Sequence, residues 1–175
     1  YDIIKTSGYA FDFDVSDELL FIAEDQVGFS IHNFISGSVY CRVDSIFDDN
    51  PNPFENVRKI SGSVDDDILI VYDRYSSPAG FFVYDISDVQ NPNFLFNNTS
   101  NTSNVEKLVT DRTNDKLEIS WTNNNSLNSA SYDNGFWSND LTLNFPNSVN
   151  GFDFNDEMFV VAGYQVGVYL SLIHI

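Results

Sequence analysis

The sequence predicts an all-β protein assembled from short antiparallel strands, and three features of its composition lead to that fold class. Strong helix formers are scarce, because Ala, Glu, Lys and Met together supply 16 of the 175 residues. Phe and Tyr supply 25 residues, and aromatic side chains suit the half-buried surface of a pleated sheet. Asp, Asn, Ser and Gly supply 70 residues, and these residue types favour the tight turns between strands.

The charge balance narrows the choice of partners. Lys and Arg number 8 against 26 Asp and Glu, which gives a net charge of −18. This excess of negative charge argues against binding to nucleic acid or to an anionic membrane surface. The longest apolar runs, residues 68–72 and 158–162, are too short to insert across a membrane. The single cysteine, Cys41, excludes an internal disulfide.

A repeat organises the chain. Four segments align without gaps: VSDELLFIA, VDDDILIVY, TNDKLEISW and FNDEMFVVA. Their anchoring aspartates are Asp17, Asp66, Asp115 and Asp156, which are 49, 49 and 41 residues apart. The outer copies match further, since FDVSDELLFIAEDQVG aligns with FDFNDEMFVVAGYQVG. A fixed period of this length is typical of repeat architectures.

Within each repeat the alternation of apolar and polar residues predicts strands in order. The first unit gives YAFDFDV, LLFIA, VGFSIHNF and SVYCRVDSI, and the second gives VRKISGSV, ILIVYD, GFFVYDI and FLF. The third gives VEKLVT, KLEISW, a weaker segment at residues 129–132, and LTLNF, while the fourth ends after VGVYL. In YAFDFDV one face is apolar and the other acidic. We expect apolar strand faces to hold the units together, with the acidic residues concentrated in loops.

Four strands in 41–49 residues match one blade of a β-propeller. The sequence thus predicts an incomplete β-propeller, a fragment of one domain with about three full blades and two partial ones, whose blades lie near residues 7–47, 57–97, 105–145 and 149–170. Residues 1–6 match LTLNF in their distance from the next aspartate, and are expected to be the outer strand of a preceding, partial blade. Residues 171–175 break the repeat and read either as the translation of a sequencing adaptor or as an ordinary terminal strand.

One segment carries a resemblance to a known family. GFFVYDISDVQNP resembles the LVIVD-type repeat of microbial surface propellers at Gly80, Val83, Asp85, Ser87, Asp88 and Pro92, whereas Val89 stands where that pattern has proline. The first unit retains only Gly28, Phe29 and Ile31 of the pattern. The resemblance implies a propeller on a secreted or cell-surface protein. It brings no general catalytic residues.

Two groups of residues are candidate sites. The Asp-rich turns that precede the second strand of each unit could hold calcium, but the same residues form turns, and we favour the turn interpretation. In propellers generally, ligands bind at the mouth of the channel, which points to the loops after the second strands. The ligand-binding candidates are therefore Asp25, Gln26, Asp73, Arg74, Tyr75, Tyr164 and Gln165. The alternative for Arg74 is a surface ion pair with Asp73.

The remaining reactive residues give no catalytic signature. His32 is expected on the surface of a strand, and Cys41 is expected to be a small buried apolar residue. We predict a non-catalytic binding or scaffold module without a cofactor, whose ligand is a protein or a carbohydrate. The alternative is a propeller hydrolase or lyase with an acidic, calcium-assisted site at the channel mouth.

Overall fold

A computed structural model describes residues 3–47, 50–54, 56–74, 80–98, 105–113, 116–133, 136–154, 158–163 and 167–170. Within these residues the regular structure consists of β-strands, and no helix occurs. The chain divides into two compact units, unit 1 (Tyr1–Ser103) and unit 2 (Asn104–Ile175). Each unit is built from antiparallel sheets whose strands follow one another in sequence. The predicted all-β class of four-stranded antiparallel sheets is confirmed.

Unit 1 contains two four-stranded sheets and a short hairpin. Sheet 1 has the order β1 (Asp12–Ser16), β2 (Leu19–Ala23), β3 (Phe29–Asn33) and β4 (Val39–Val43). The hairpin pairs β5 (Ser45–Phe47) with β6 (Asn50–Pro53). Sheet 2 has the order β7 (Val57–Ser63), β8 (Ile68–Asp73), β9 (Gly80–Asp85) and β10 (Asn93–Asn98).

Unit 2 contains a four-stranded and a three-stranded sheet. Sheet 3 has the order β11 (Val105–Thr113), β12 (Lys116–Asn123), β13 (Ser126–Asp133) and β14 (Phe136–Asn144). Sheet 4 pairs β15 (Val149–Phe154), β16 (Met158–Gly163) and β17 (Gly167–Leu170). The small core of unit 2 is formed by Leu127 of sheet 3 and by Val149 and Phe152 of sheet 4. Lys107 Nζ donates to the carbonyl oxygen of Phe152 at 2.5 Å and lies 5.3 Å from its ring centroid.

The strands occur where the sequence predicted them, with two differences. SVYCRVDSI was expected as one strand, but it is divided into β4 and β5. β5 leaves sheet 1 and pairs with β6 in the separate hairpin. Residues 3–6 do not lie in a strand, while Tyr1 and Asp2 fall outside the described residues. The single-domain division, the blade boundaries and the assignment of residues 1–6 and 171–175 stay predictions.

The Asp-rich hairpin turns depend on left-handed backbone conformations. Asp17 and Asp67, in the first turns of sheets 1 and 2, have φ angles of 50° and 54°. Asn124 has a φ angle of 50° in the turn between β12 and β13. Asp and Asn are the non-glycine residues that adopt this region most readily. These angles support the turn interpretation at the two aspartates, while Asp115 and Asp156 lie outside the described residues.

The core of unit 1 lies between sheets 1 and 2. It is formed by buried aromatic and branched side chains, namely Leu19, Phe21, Ala23, Phe29, Ile31, Phe54, Val57, Ile60, Leu69, Val71, Phe82, Tyr84 and Ile86. Phe29 makes edge-to-face contacts with Phe54 and Tyr84, at centroid distances of 6.0 and 5.1 Å. Sheet 2 approaches so closely at Gly62 that a Cβ atom there would lie 2.5 Å from Cε2 of Phe21.

The acidic face of β1 faces sheet 2, which reverses the expected arrangement. Phe13 and Val15, on the opposite face of β1, are 70% and 40% exposed. The side chains of Asp12, Asp14 and Ser16 instead accept hydrogen bonds from backbone N–H groups of the β7 segment. The donors are Ile60 at 3.2 Å, Gly62 at 2.9 Å and Val64 at 3.1 Å. We call these three pairs the side-chain ladder.

The ladder works because both strands share a period of two. Alternate side chains of β1 point to one side, and alternate N–H groups of an edge strand point outward, so three successive pairs stay in register. Burial raises the pKa of Asp12, and the charge of Lys59 and the Ile60 N–H act in the opposite direction. The ladder thus places partly buried carboxylates between two sheets, where it provides acceptors for the edge of sheet 2.

The ladder predicts that Asp14→Ala destabilises unit 1 by about 1–3 kcal/mol, because the N–H of Gly62 loses its charged acceptor. The free energy of unfolding is obtained from urea denaturation followed by circular dichroism. Asp65→Ala, at an exposed carboxylate in the β7–β8 turn, is the control and should change stability by less than about 0.5 kcal/mol. Equal stability of the two variants would contradict a stabilising ladder.

Candidate functional site

The two aspartates predicted to bind ligand lie at neighbouring strand ends of unit 1. Asp25 lies in the tight turn after β2, where its φ angle is 56° and its carbonyl oxygen accepts from the N–H of Val57 at 3.1 Å. Asp73 is the last residue of β8 and is completely buried. Gly28 closes the same turn with a φ angle of 82°, and a Cβ atom there would overlap the carbonyl oxygen of Val43.

Asn56 connects these two aspartates. Its backbone N–H donates to both carboxylate oxygens of Asp73, each at 3.2 Å. Its side-chain Nδ2 donates to Oδ1 of Asp25, and its carbonyl oxygen accepts from the N–H of Arg74 at 3.1 Å. Because Asn56 is 6% exposed, these bonds form with little competition from water. Asn56 therefore fixes the turn after β2 to the end of β8.

An arginine covers the outer side of this group. Arg58 donates from Nε to Oδ1 of Asn56, and its Nη2 lies 3.8 Å from Oδ1 of Asp25. Its Cζ lies 3.5 Å from the ring centroid of Phe11, so the guanidinium stacks on an aromatic face that is 43% exposed. We call Asp25, Asn56, Arg58, Asp73 and Phe11 the loop-end cluster.

The seven residues predicted from the sequence fall into three groups. The cluster brings Asp25 and Asp73 together, and Gln26 and Arg74 are exposed beside them in the chain. Tyr75, Tyr164 and Gln165 lie outside the described residues. Asp73 is completely buried and Arg74 is exposed, and the ion pair between them stays a prediction.

Sequence reasoning missed Asn56, Arg58 and Phe11. The available signals were weak. Asn56 is a polar residue directly before β7, and Arg58 is one of only 8 lysine and arginine residues. Neither signal showed that both side chains reach Asp25 in the turn after β2. In the cluster the carboxylates of Asp25 and Asp73 are engaged by N–H donors, and its outer side carries an arginine stacked on an aromatic ring.

A second polar group at sheet 1 consists of Glu24, Ser30 and His32. His32 was expected on the surface of a strand, but it is completely buried. Ser30 Oγ donates to Oε1 of Glu24 and lies 2.8 Å from Nε2 of His32. Since the hydroxyl has one proton, His32 Nε2 must be the donor in the second bond. No described group hydrogen-bonds to Nδ1 of His32.

This trio is not arranged for nucleophilic catalysis. A catalytic serine donates its hydrogen bond to histidine, whereas Ser30 donates its hydrogen bond to Glu24. All three side chains are also buried. Cys41 is half-buried instead of fully buried as predicted. Burial raises the pKa of its thiol to about 11, so the thiolate is scarce at neutral pH.

The residues that carry the family resemblance have local structural roles. Gly80 begins β9 with a φ angle of 150°. After β9, Asp85 accepts from the N–H of Ser87 at 2.8 Å, and Asp88 accepts from the N–H of Gln90 at 3.0 Å. Hydrogen bonds from the side chain and backbone of Ser87 lower the pKa of Asp85. The Asp-Ile-Ser-Asp segment is therefore a turn stabilised by its own side chains.

The described part of the chain contains no group of three or more His, Cys, Asp or Glu side chains placed to hold a metal ion. Among the same residues, no helix has the length and hydropathy needed to cross a membrane.

Comparison with solved structures identifies the fold. The chain is similar to the WD40 repeats of RRP9 (TM-score 0.68, 19% identity, covering 91% of this chain and 46% of that chain). It is also similar to U3-55K (TM-score 0.70, 19% identity, covering 94% and 49%). A chain of a nidogen–laminin complex gives a TM-score of 0.58 at 13% identity, covering 88% and 56%. This chain therefore has a β-propeller fold and spans about half the length of these propellers.

No family model and no curated protein sequence matches the chain. The identities to the solved structures are low, so the likeness establishes fold alone. The resemblance to the LVIVD-type repeat stays a prediction.

The loop-end cluster predicts that Asn56→Asp destabilises unit 1 by about 1–3 kcal/mol at neutral pH. The substitution removes the donor to Asp25 and places a third carboxylate beside Asp25 and Asp73. Urea unfolding at neutral pH measures the loss.

Asn91→Asp is the matched control for this substitution. Asn91 Nδ2 also donates to an aspartate, Oδ2 of Asp88 at 2.9 Å, but both residues are exposed. Its replacement should cost less than about 1 kcal/mol. Equal losses in the two variants would show that burial in the cluster contributes nothing.

The position of His32 predicts acid sensitivity. Burial lowers its pKa, while a backbone contact with Gly37 and the charge of Glu24 act in the opposite direction and Arg42 acts in the same one. The unfolded chain then binds the proton more readily, so stability is lost as the pH falls through about 6.5. His32→Gln should lose this part of the pH dependence in thermal unfolding between about pH 7.5 and pH 5. An unchanged pH profile would contradict the assignment; His174 is present in both proteins and cancels.

Proposed function

We propose that this protein is a non-catalytic binding module for a protein ligand, carried by a secreted or cell-surface protein. The observation that carries the proposal is the propeller fold with a recognition-type cluster at one loop end. Propellers present loops at the ends of a rigid sheet scaffold, which suits binding without conformational change. Among the similar structures, one is a chain of a nidogen–laminin complex, which is an assembly of proteins.

The loop-end cluster supports binding more than catalysis. Asp25 and Asp73 accept hydrogen bonds from Asn56, so these carboxylates already serve the fold. The outer side of the cluster carries the stacked pair of Arg58 and Phe11, and the exposed residues Gln26 and Arg74 lie beside it in the chain. Arginine and aromatic side chains are the types that contribute most at protein interfaces.

The charge of the chain supports a partner with carboxylates at this surface. Two arginines, Arg58 and Arg74, stand at one loop end of a protein that has only 8 cations and a net charge of −18. An acidic group of the partner can pair with an exposed guanidinium there in bidentate geometry. The general negative charge suits a hydrated extracellular surface.

A capture experiment tests the binding function. Immobilised protein is exposed to the secreted and cell-surface proteins of its source. A captured protein should bind the wild-type chain saturably, and binding should fall at least tenfold with the double variant Gln26→Ala, Arg74→Ala. Gln90→Ala, at an exposed residue outside the cluster, is the control and should bind as the wild type does. Undiminished binding to the double variant would contradict the proposed site.

Calcium separates this proposal from the hydrolase or lyase alternative. A ligand that binds the folded state alone raises the thermal midpoint in proportion to its occupancy. We expect the same midpoint in calcium and in chelator. A rise with calcium, together with turnover of a glycan or ester substrate, would favour the enzyme. Sequencing across the source locus upstream of Tyr1 tests the secreted location.

A further inference from the structure

A short extended segment lies against sheet 1 ahead of β1. Residues 3–8, which we call the strap, alternate between exposed and half-buried positions, with Ile4, Thr6 and Gly8 on the inner side. The side chain of Ile4 lies over Gly37, where a Cβ atom would be 3.4 Å from Cγ1 of Ile4. The strap therefore packs on sheet 1, although it forms no strand.

The strap is held mainly through its backbone. Oε2 of Glu24 accepts from the N–H of Ser7 at 2.6 Å and from the N–H of Gly8 at 3.2 Å. Arg42 Nη2 donates to the carbonyl oxygen of Lys5 at 3.3 Å. Contacts of this kind read the direction and extension of a peptide, whatever its side chains.

One position of the strap accepts glycine alone. A Cβ atom at Gly8 would overlap the carbonyl oxygen of Glu24 and lie 2.5 Å from Cγ2 of Val27. Two residues earlier, Thr6 Oγ1 donates to the carbonyl oxygen of Gly8 at 2.8 Å, which fixes the bend of the segment. The docked pattern is an apolar residue followed four residues later by glycine.

Glu24 is built as a receptor for backbone N–H groups. Its carboxylate is 1% exposed, and its other oxygen is oriented by Ser30, which His32 holds in turn. We propose that Glu24, Arg42 and Gly37 form a recognition site for an extended peptide with this apolar-to-glycine spacing, occupied in cis by the strap. The site is distinct from the loop-end cluster and does not depend on the function proposed for it.

Occupation in cis dictates when a second peptide can bind. A tethered segment has an effective concentration in the millimolar range, so it excludes a peptide of equal contacts in trans. A peptide of the same chemistry therefore binds only when the strap has left the site. We expect Gly8→Ala to provide that state in the full chain, because the added methyl group would overlap the carbonyl oxygen of Glu24 and so disfavour the docked strap.

The test uses a fluorescent peptide carrying residues 3–10. We expect saturable binding to the Gly8→Ala chain, at least tenfold weaker binding to the wild type, and none to the Gly8→Ala, Glu24→Gln chain. Gly151→Ala is the matched control, since a Cβ atom there meets no atom within 4 Å, and it should behave as the wild type does. Equal binding to the wild type and to Gly8→Ala, or no binding to a folded Gly8→Ala chain, overturns the proposal.

If Gly8→Ala does not fold, the rate of trypsin cleavage after Lys5 tests whether Glu24 holds the strap in the site. Cleavage requires the strap to leave sheet 1, so the rate follows the open population. Glu24→Gln removes a charged acceptor and should speed this cut at least about tenfold, whereas Glu18→Gln, at an exposed glutamate, should leave it unchanged. Equal cleavage rates in the wild type and in Glu24→Gln overturn the proposal.

Discussion

The arrangement of unit 1 depends on the capping of one strand edge by acidic side chains. β7 is an edge strand of sheet 2 within the described chain, and the N–H groups along its free edge require acceptors. Asp12, Asp14 and Ser16 supply them from β1 with the same two-residue period. A carboxylate accepts such a bond more strongly than a neutral oxygen does. Much of the acidity of β1 therefore serves the contact between sheets.

The ladder, the core and the loop-end cluster all act on β7. The absence of a side chain at Gly62 lets the Phe21 ring approach while the N–H of Gly62 bonds to Asp14. Directly before β7, the N–H of Asn56 bonds to Asp73, and the strand begins with Val57 bonded to the carbonyl of Asp25. A change in the ladder should therefore be felt at the cluster, because both fix the same strand.

The sequence contained the strands but not their orientation. Period-two alternation and the repeated Asp turns located sheets 1 to 4, and Gly28 and Gly80 stand where positive φ angles are needed. Alternation cannot tell which face turns inward, and the usual assumption that apolar faces are buried fails where carboxylates bind an edge. His32 was misplaced for a different reason, because both faces of β3 are buried from Phe29 to His32. Asn56 and Arg58 act through contacts distant in sequence, which no local pattern reports.

Native-state hydrogen exchange of β7 tests the ladder most directly. An edge N–H group that faces water exchanges readily, whereas one bonded to a carboxylate opens only with the structure around it. The account predicts that the amides of Ile60, Gly62 and Val64 exchange as slowly as the amides that pair β8 with β9. It also predicts that Asp14→Ala raises the exchange rate of the Gly62 amide more than that of the other two. Rapid exchange of all three amides in the wild-type protein would contradict the account.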